Sequence, residues 1–189
     1  MTYVNKYNVM ESEFCDQVID SVTDADYLPH QWYGNGHKGG QGELELTPDN
    51  QGPDICFNRH QDLQQQLIEK CWEAIEAYNI DYFFNFEDQL KINITILTPP
   101  RINRYDVGQD MKVHNDLIHV DDSHPKVHPK LSLVGLFNDD FSGGDFKLVS
   151  ETIDFSKGDI LIFPSNFMYT HLVTKVTQGK RFSFVSWAY

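Results

Sequence analysis

The sequence predicts an α+β chain, mainly β, in which N-terminal helices support a jelly roll. Three observations predict it. Apolar residues recur at helical spacing only in the first 80 or so positions. After Tyr82 the pattern changes to short alternating runs punctuated by Gly, Pro, Asn and Asp. Helices followed by about seven short strands suggest helices packed on a β-sandwich or jelly roll. No repeat or linker interrupts the 189 residues, a length of about one domain. The expected division is a single domain over 1–189, with helical support over 1–88 and a jelly-roll core over 89–189.

From the N-terminus, residues 11–23 place Phe14, Val18, Ile19 and Val22 at i, i+4, i+5 and i+8, a short amphipathic helix. Residues 30–53, rich in Gly, Asn and Gln, read as loop. Residues 60–79 put Leu63, Leu67, Cys71, Ala74, Ile75 and Tyr78 on one helical stripe. Phe83, Phe84 and Phe86 read as core or as a helix-to-sheet seam. Lys91–Leu97 alternates, with Ile92, Ile94 and Ile96 facing one way. Ile102–Val107, Lys130–Asn138, Asp145–Ser150, Ile160–Phe163, His171–Val176 and Arg181–Ala188 are further expected strands. The polar segment 117–130, broken by Pro125 and Pro129, reads as a long loop and a candidate substrate lid.

Composition excludes several classes. The net charge is −13, from 15 basic and 28 acidic residues, with no basic run. A nucleic-acid binder needs a basic face, so direct nucleic-acid partners are set aside. Residues 1–10 are polar and no run of about 18 apolar residues exists. Neither a signal peptide nor a membrane span is expected, and the cytoplasm is the expected compartment. Cys15, Cys56 and Cys71 are odd in number and widely spaced, which fits reduced thiols and neither a disulfide framework nor a zinc site.

The chemistry centres on His114, Asp116, His171 and Arg181. His114 and Asp116 form an H-x-D; His171 lies 55 residues past Asp116 and Arg181 ten residues later. Two imidazoles and one carboxylate on one face of a metal leave the other face open, the ligand set of non-haem Fe(II) oxygenases. In a strand, i and i+2 share a face, so His114 and Asp116 can both reach one barrel mouth while Asn115 points away. Likewise Arg181, Ser183, Val185 and Trp187 share a face. Arg181 offers a fixed fork for a carboxylate.

Other signals carry less. Gly34–Gly39 matches G-x-G-x-x-G but lacks the strand before and helix after that a dinucleotide site needs. His119, His124 and His128 with Asp121 and Asp122 read as a solvated loop, with a second metal as the alternative. Asn93-Ile-Thr95 fits a glycosylation acceptor inside an expected strand.

The run from Arg104 and Tyr105 through Gly108 and Met111 to His114 and Asp116 resembles the first iron-binding motif of the prolyl 4-hydroxylase-like 2-oxoglutarate/Fe(II) dioxygenases. Leu136-Phe137-Asn138 with Gly143-Gly144-Asp145 resembles their middle strands. Gly158-Asp159, Phe163-Pro164-Ser165, His171, Val173, Val176, Gly179, Arg181, Ser183 and Trp187 resemble their C-terminal half. The likeness covers about residues 90–189. It implies a double-stranded β-helix of cupin-like form, with iron ligands at His114, Asp116 and His171. It places the far carboxylate of 2-oxoglutarate on Arg181, assisted by Tyr105. Arg181 and Ser183 resemble the Arg-x-Ser pair of other 2-oxoglutarate enzymes, and Trp187 joins Ser183 as a cavity-lining co-substrate residue. Where some relatives carry a second tyrosine, this chain has Leu136, which makes that side of the pocket more apolar. Arginine at 181, in place of the lysine of collagen-type members, resembles oxygen-sensing and bacterial prolyl hydroxylases.

The activity implied is hydroxylation of a prolyl residue in a peptide or protein, with decarboxylation of 2-oxoglutarate to succinate. Fe(II), 2-oxoglutarate and O2 are the implied cofactors, with ascorbate as a further candidate. The family's compact members occur in bacteria and their viruses, and the state is a monomer or homodimer. Two alternatives stand beside it. One is the same chemistry on a free amino acid, another side chain or a small metabolite. The other is a cupin-like module that binds a metal or sugar without turnover; Tyr105, Arg181 and Ser183 beside the triad argue against it, since a mere binder has no need of a carboxylate clamp. Tyr33 and Trp32 are candidates to cover the substrate from the earlier loop.

Overall fold

Two antiparallel sheets face each other, and two helices cover the back of the larger one. This arrangement comes from a computed structural model that describes residues 3–33, 46–48, 51–83, 92–117 and 128–189. Strands are numbered along the chain. The larger sheet contains β1 (Asn5–Asn8), β2 (Leu28–Pro29), β5 (Asp54–Phe57) and β6 (Arg101–Tyr105). It also contains β8 (Leu131–Leu136), β12 (Asp159–Pro164) and β15 (Arg181–Ala188), in the order β1-β12-β8-β15-β6-β5-β2. The smaller sheet is β7 (Met111–His114), β10 (Phe146–Leu148), β11 (Glu151–Thr152) and β13 (His171–Val173), ordered β11-β10-β13-β7. Two ribbons pair β3 (Gln31–Tyr33) with β4 (Leu46–Pro48), and β9 (Ser142–Gly143) with β14 (Val176–Gln178).

The helices are α1 (Ser12–Asp20) and α2 (Gln61–Phe83). The expected stripe of α2 is the buried one: Leu67, Cys71, Ala74, Ile75 and Tyr78 are buried and Leu63 partly so. Phe14 and Val18 do the same for α1. Tyr78 and Tyr82 donate their hydroxyls to the carbonyls of Tyr3 and Val4, tying α2 to the chain entering β1. Phe83 packs at that seam, stacked on Tyr3; Phe84 and Phe86 lie outside the described residues. Cys15, Cys56 and Cys71 are buried free thiols. Among the described residues no helix is long and apolar enough to cross a membrane.

Strand alternation sorts residues between two cores. From β15, Phe182, Phe184 and Ala188 enter the layer under the helices, while Val185 and Trp187 enter the space between the sheets. From β8, Leu131 and Leu133 go to the helices and Val134 to the interior. Gly135 shows how tight the first layer is: a Cβ there would lie 1.9 Å from the ring of Phe184. Gly135→Ala is therefore expected to cost about 1–3 kcal/mol through overpacking, read as a lower midpoint in denaturant unfolding.

Several expectations need correction. Residues 92–97 are not a strand; only Leu97 bridges, to Ala188. The backbone there does lie beside the end of β15, with the Thr98 N–H donating to Trp187 O. Pro99 and Pro100 stand between this segment and β6. Neither can donate to a ladder, so regular pairing is interrupted where a strand would have continued. Ile92, Ile94 and Ile96, expected to face one way, do not: Ile92 and Ile94 pack on the core, and Ile96 is 60% exposed. The expected strand His171–Val176 divides: β13 ends at Val173, and β14 leaves to pair with β9.

The ladder between β7 and β13 is irregular. His171 pairs with His114 and Val173 with Met111. Two steps along β13 thus match three along β7, a bulge-like slip. It lets both Met111 and His114 face the interior while Lys112 and Val113 are exposed.

Candidate metal centre and anion pocket

Antiparallel pairing of β7 with β13 sets His114 directly across from His171, with ring centroids 4.2 Å apart. Asp116 lies two residues past the end of β7, off the strand. Its Oδ1 is 3.7 Å from Nε2 of each histidine. All three ligand atoms fall within 4.8 Å of one another. The expected convergence is present, but Asp116 reaches the site from a loop and not by strand alternation.

The donors are already oriented. His114 Nδ1–H donates to Lys112 O at 2.7 Å and His171 Nδ1–H to Tyr169 O at 3.1 Å. A proton on Nδ1 leaves the Nε2 lone pair for a metal. Burial, reinforced by neighbouring His171, pushes His114 down to about 4, so it is neutral at neutral pH. On Asp116 the second oxygen, Oδ2, accepts from Ser132 Oγ at 2.6 Å, and Ser132 Oγ lies 2.6 Å from Ser165 Oγ. These hydroxyls fix the carboxylate with Oδ1 toward the imidazoles. Sequence reasoning missed Ser132. The outer hydrogen-bond partners of a metal ligand set its orientation, so Ser132→Ala is expected to weaken metal affinity by about 10–100-fold. Competition with a chelating dye measures that.

At the other end of β15, Arg181 is 1% exposed. Its Nη1 donates to Ser183 Oγ at 2.5 Å, and its guanidinium lies 5.2 Å from the ring of Tyr105, its partner across the ladder. Nη2 is buried with no hydrogen-bond partner, and no carboxylate pairs with this cation among the described residues. Burial lowers the Arg181 pKa from its ordinary value. An unpaired buried charge is costly, and a bound anion would relieve that cost. Gly144 makes the room: at φ +65°, a Cβ there would sit 2.9 Å from Arg181 Cδ. Leu136, buried, pairs with Ser183 on β15, so the wall there is apolar as expected.

Alternation on β6 supplies two residues the sequence reading overlooked. If Tyr105 faces the interior, so do Asn103 and Arg101. The Arg101 guanidinium lies 5.6 Å from the ring of Trp187. Applying to β6 the parity argument used for β15 would have found both. Most of segment 117–130 lies outside the described residues, as do loop 34–42 and His119, His124, Asp121 and Asp122; the side chains of Trp32 and Tyr33 are likewise not described.

Residues 100–189 match the model of the 2OG-Fe(II) oxygenase superfamily. No curated protein is similar to the chain by sequence. The fold is shared with solved structures of low identity. A viral collagen prolyl hydroxylase from Paramecium Bursaria Chlorella virus-1, in a 2OG complex, aligns at TM-score 0.68 and 15% identity, covering 99% of this chain and 96% of that one. A Pseudomonas putida prolyl-4-hydroxylase aligns at 0.66 and 12%, covering 98% and 91%. A prolyl hydroxylase from Trichoplax adhaerens, in complex with a hypoxia inducible factor peptide fragment, aligns at 0.73 and 16%, covering 100% and 84%. An inward His-Asp-His cluster, a buried arginine with no counter-ion among the described residues and the family match converge on the 2OG-Fe(II) oxygenase superfamily, the dioxygenases that use Fe(II), 2-oxoglutarate and O2, as the family of residues 100–189.

Proposed function

We propose that this dioxygenase hydroxylates a prolyl residue in a peptide or protein. His114, Asp116 and His171 hold Fe(II), and Arg181, with Tyr105 and Ser183, holds the far carboxylate of 2-oxoglutarate. The observation that carries the co-substrate assignment is the unpaired Nη2 of fully buried Arg181. Fe(II), 2-oxoglutarate and O2 together supply the oxidant, one oxygen atom going into succinate, as CO2 leaves, and the other into a substrate C–H bond.

The chain's own residues bind, orient and exclude water. Ser183 fixes the rotamer of Arg181, so the fork is set before the anion arrives. Ser132 keeps Asp116 turned toward the histidines. Phe146 and Phe163 pack against His171, at 5.4 and 5.1 Å between centroids, and shield it from solvent. A binding module without turnover has no use for a second, buried cationic clamp in the same interior. Ascorbate, a cytoplasmic setting, a single-domain chain and a monomer or homodimer remain parts of this proposal.

Support for a prolyl peptide comes from the three prolyl hydroxylases of like fold, one of them solved with a peptide. The test is incubation of full-length protein with Fe(II), 2-oxoglutarate and host-lysate peptides, followed by mass spectrometry for a one-oxygen gain. Oxidation confined to proline supports the reading. Oxidation elsewhere moves the substrate to another side chain.

A further inference from the structure

Strand β6 carries two arginines in opposite situations. Arg104, on the outer face, has carboxylates on every side: Asp24, Asp54 at 2.8 Å and Asp106 at 3.6 Å. Arg101, on the inner face, has none among the described residues. Its Nε is buried without a hydrogen-bond partner, and so is the indole Nε1 of Trp187, the ring it stacks on. Two N–H donors at one spot are thus left without acceptors. Buried polar groups are normally satisfied, and these two neighbouring donors want an acceptor that the described residues do not supply. Burial lowers the Arg101 pKa, and the charge lies close enough to feel Asp116.

Arg101 is separate from the clamp at Arg181. It pairs with Val185, four residues along β15 from Arg181, about 13 Å at a rise of roughly 3.3 Å per residue. Asn103, between them on β6, has a buried Oδ1 that also lacks a partner. An acceptor oxygen at that point repels an anion, which divides the interior into two positive ends.

We propose that Arg101 and Trp187 anchor a carboxylate carried by the substrate itself, beside the bond that is oxidised. The substrate class is then a residue flanked by an acidic side chain, or one that bears a free terminal carboxylate. This deepens the functional reading and rests on it for the position of the oxidised bond, but carboxylate binding at Arg101 does not depend on turnover.

The test uses full-length 15N-labelled protein with Zn(II) and saturating 2-oxoglutarate, so that the triad and Arg181 are already engaged. The chain has three tryptophans, Trp32, Trp72 and Trp187; the peak lost in Trp187→Phe assigns the reporter. N-acetylglycine is titrated against its neutral amide. The acid should shift the Trp187 indole N–H saturably, and the amide should bind at least about tenfold more weakly, one charge-assisted contact being lost. Arg101→Met should abolish the response. Arg101→Lys, which keeps charge but not the planar fork, should restore part of it. The Trp72 peak, on α2, reports whether Arg101→Met is folded, with Arg101→Gln replacing it if not.

No shift, an equal shift from the amide, a shift that survives in Arg101→Met, or one that competes with 2-oxoglutarate would each overturn the proposal. A failure of the dioxygenase reading would show separately, as absence of succinate formation with Fe(II), and would leave the indole titration unaffected.

Discussion

His171→Ala is expected to end Fe(II)-dependent formation of succinate from 2-oxoglutarate. The mutation leaves Asp116 Oδ1 with one imidazole where it had two at equal distance. Loss of an outer partner of a metal ligand typically costs 10–100-fold, and loss of the ligand itself should exceed about 100-fold. His171 also packs against Phe146 and Phe163, so alanine opens a cavity. His171→Gln, which fills the space without an imidazole, separates lost packing from lost ligation. Succinate measured by mass spectrometry, beside Fe(II) affinity by calorimetry, checks both. Turnover unchanged in either variant removes His171 from the centre.

Replacing Arg181 should have two opposite effects. Charge-assisted hydrogen bonds contribute about 1.5–3 kcal/mol each, so losing a two-pronged contact should raise the KM for 2-oxoglutarate by two or more orders of magnitude, each factor of ten being about 1.4 kcal/mol. Without ligand, however, Arg181 is a buried cation lacking a counter-charge among the described residues. Its replacement by methionine, unbranched, apolar and two atoms shorter, removes that burden, because exchanging a poorly compensated buried charge for an apolar side chain is often neutral or stabilising. Arg181→Met should therefore melt no lower than the parent in the absence of 2-oxoglutarate. It should also lose the stabilisation that the parent gains when 2-oxoglutarate is added. Differential scanning fluorimetry with and without the co-substrate reads both. A melting temperature that drops sharply without ligand, or a co-substrate response that survives, contradicts the assignment.

The most legible part of the site was its ligand chemistry. Histidine and aspartate at H-x-D spacing, a distant histidine and an arginine ten residues on are residue types whose chemistry points inward wherever the fold closes. The helical stripe of α2 was legible because one buried face repeats over several turns. What escaped the sequence depended on neighbours. The polar run Asn5-Lys-Tyr-Asn8 makes a strand because β12 offers an open edge to it, not because its own residues favour one. Residues 92–97 alternate like a strand, yet they meet only the very end of β15, through the Leu97–Ala188 bridge and bonds to Tyr189, and form no ladder. Ser132 reads as an interruption in an apolar strand until Asp116, sixteen positions away, is seen to need its hydroxyl. Arg101 carries no motif; only its place opposite Val185 and beside Trp187 gives it meaning.

The slip between β7 and β13 has a consequence for how this segment tolerates change. Met111 and His114 both point inward across only three steps, because the register gives up one position between them. Exchanging the outward Lys112 or Val113 for a polar residue leaves that count intact. Deleting one of them would set the methionine and the imidazole two apart, on one face by plain alternation, and the slip would no longer be needed. At the present length the irregular pairing, not alternation, is what brings the two histidines face to face.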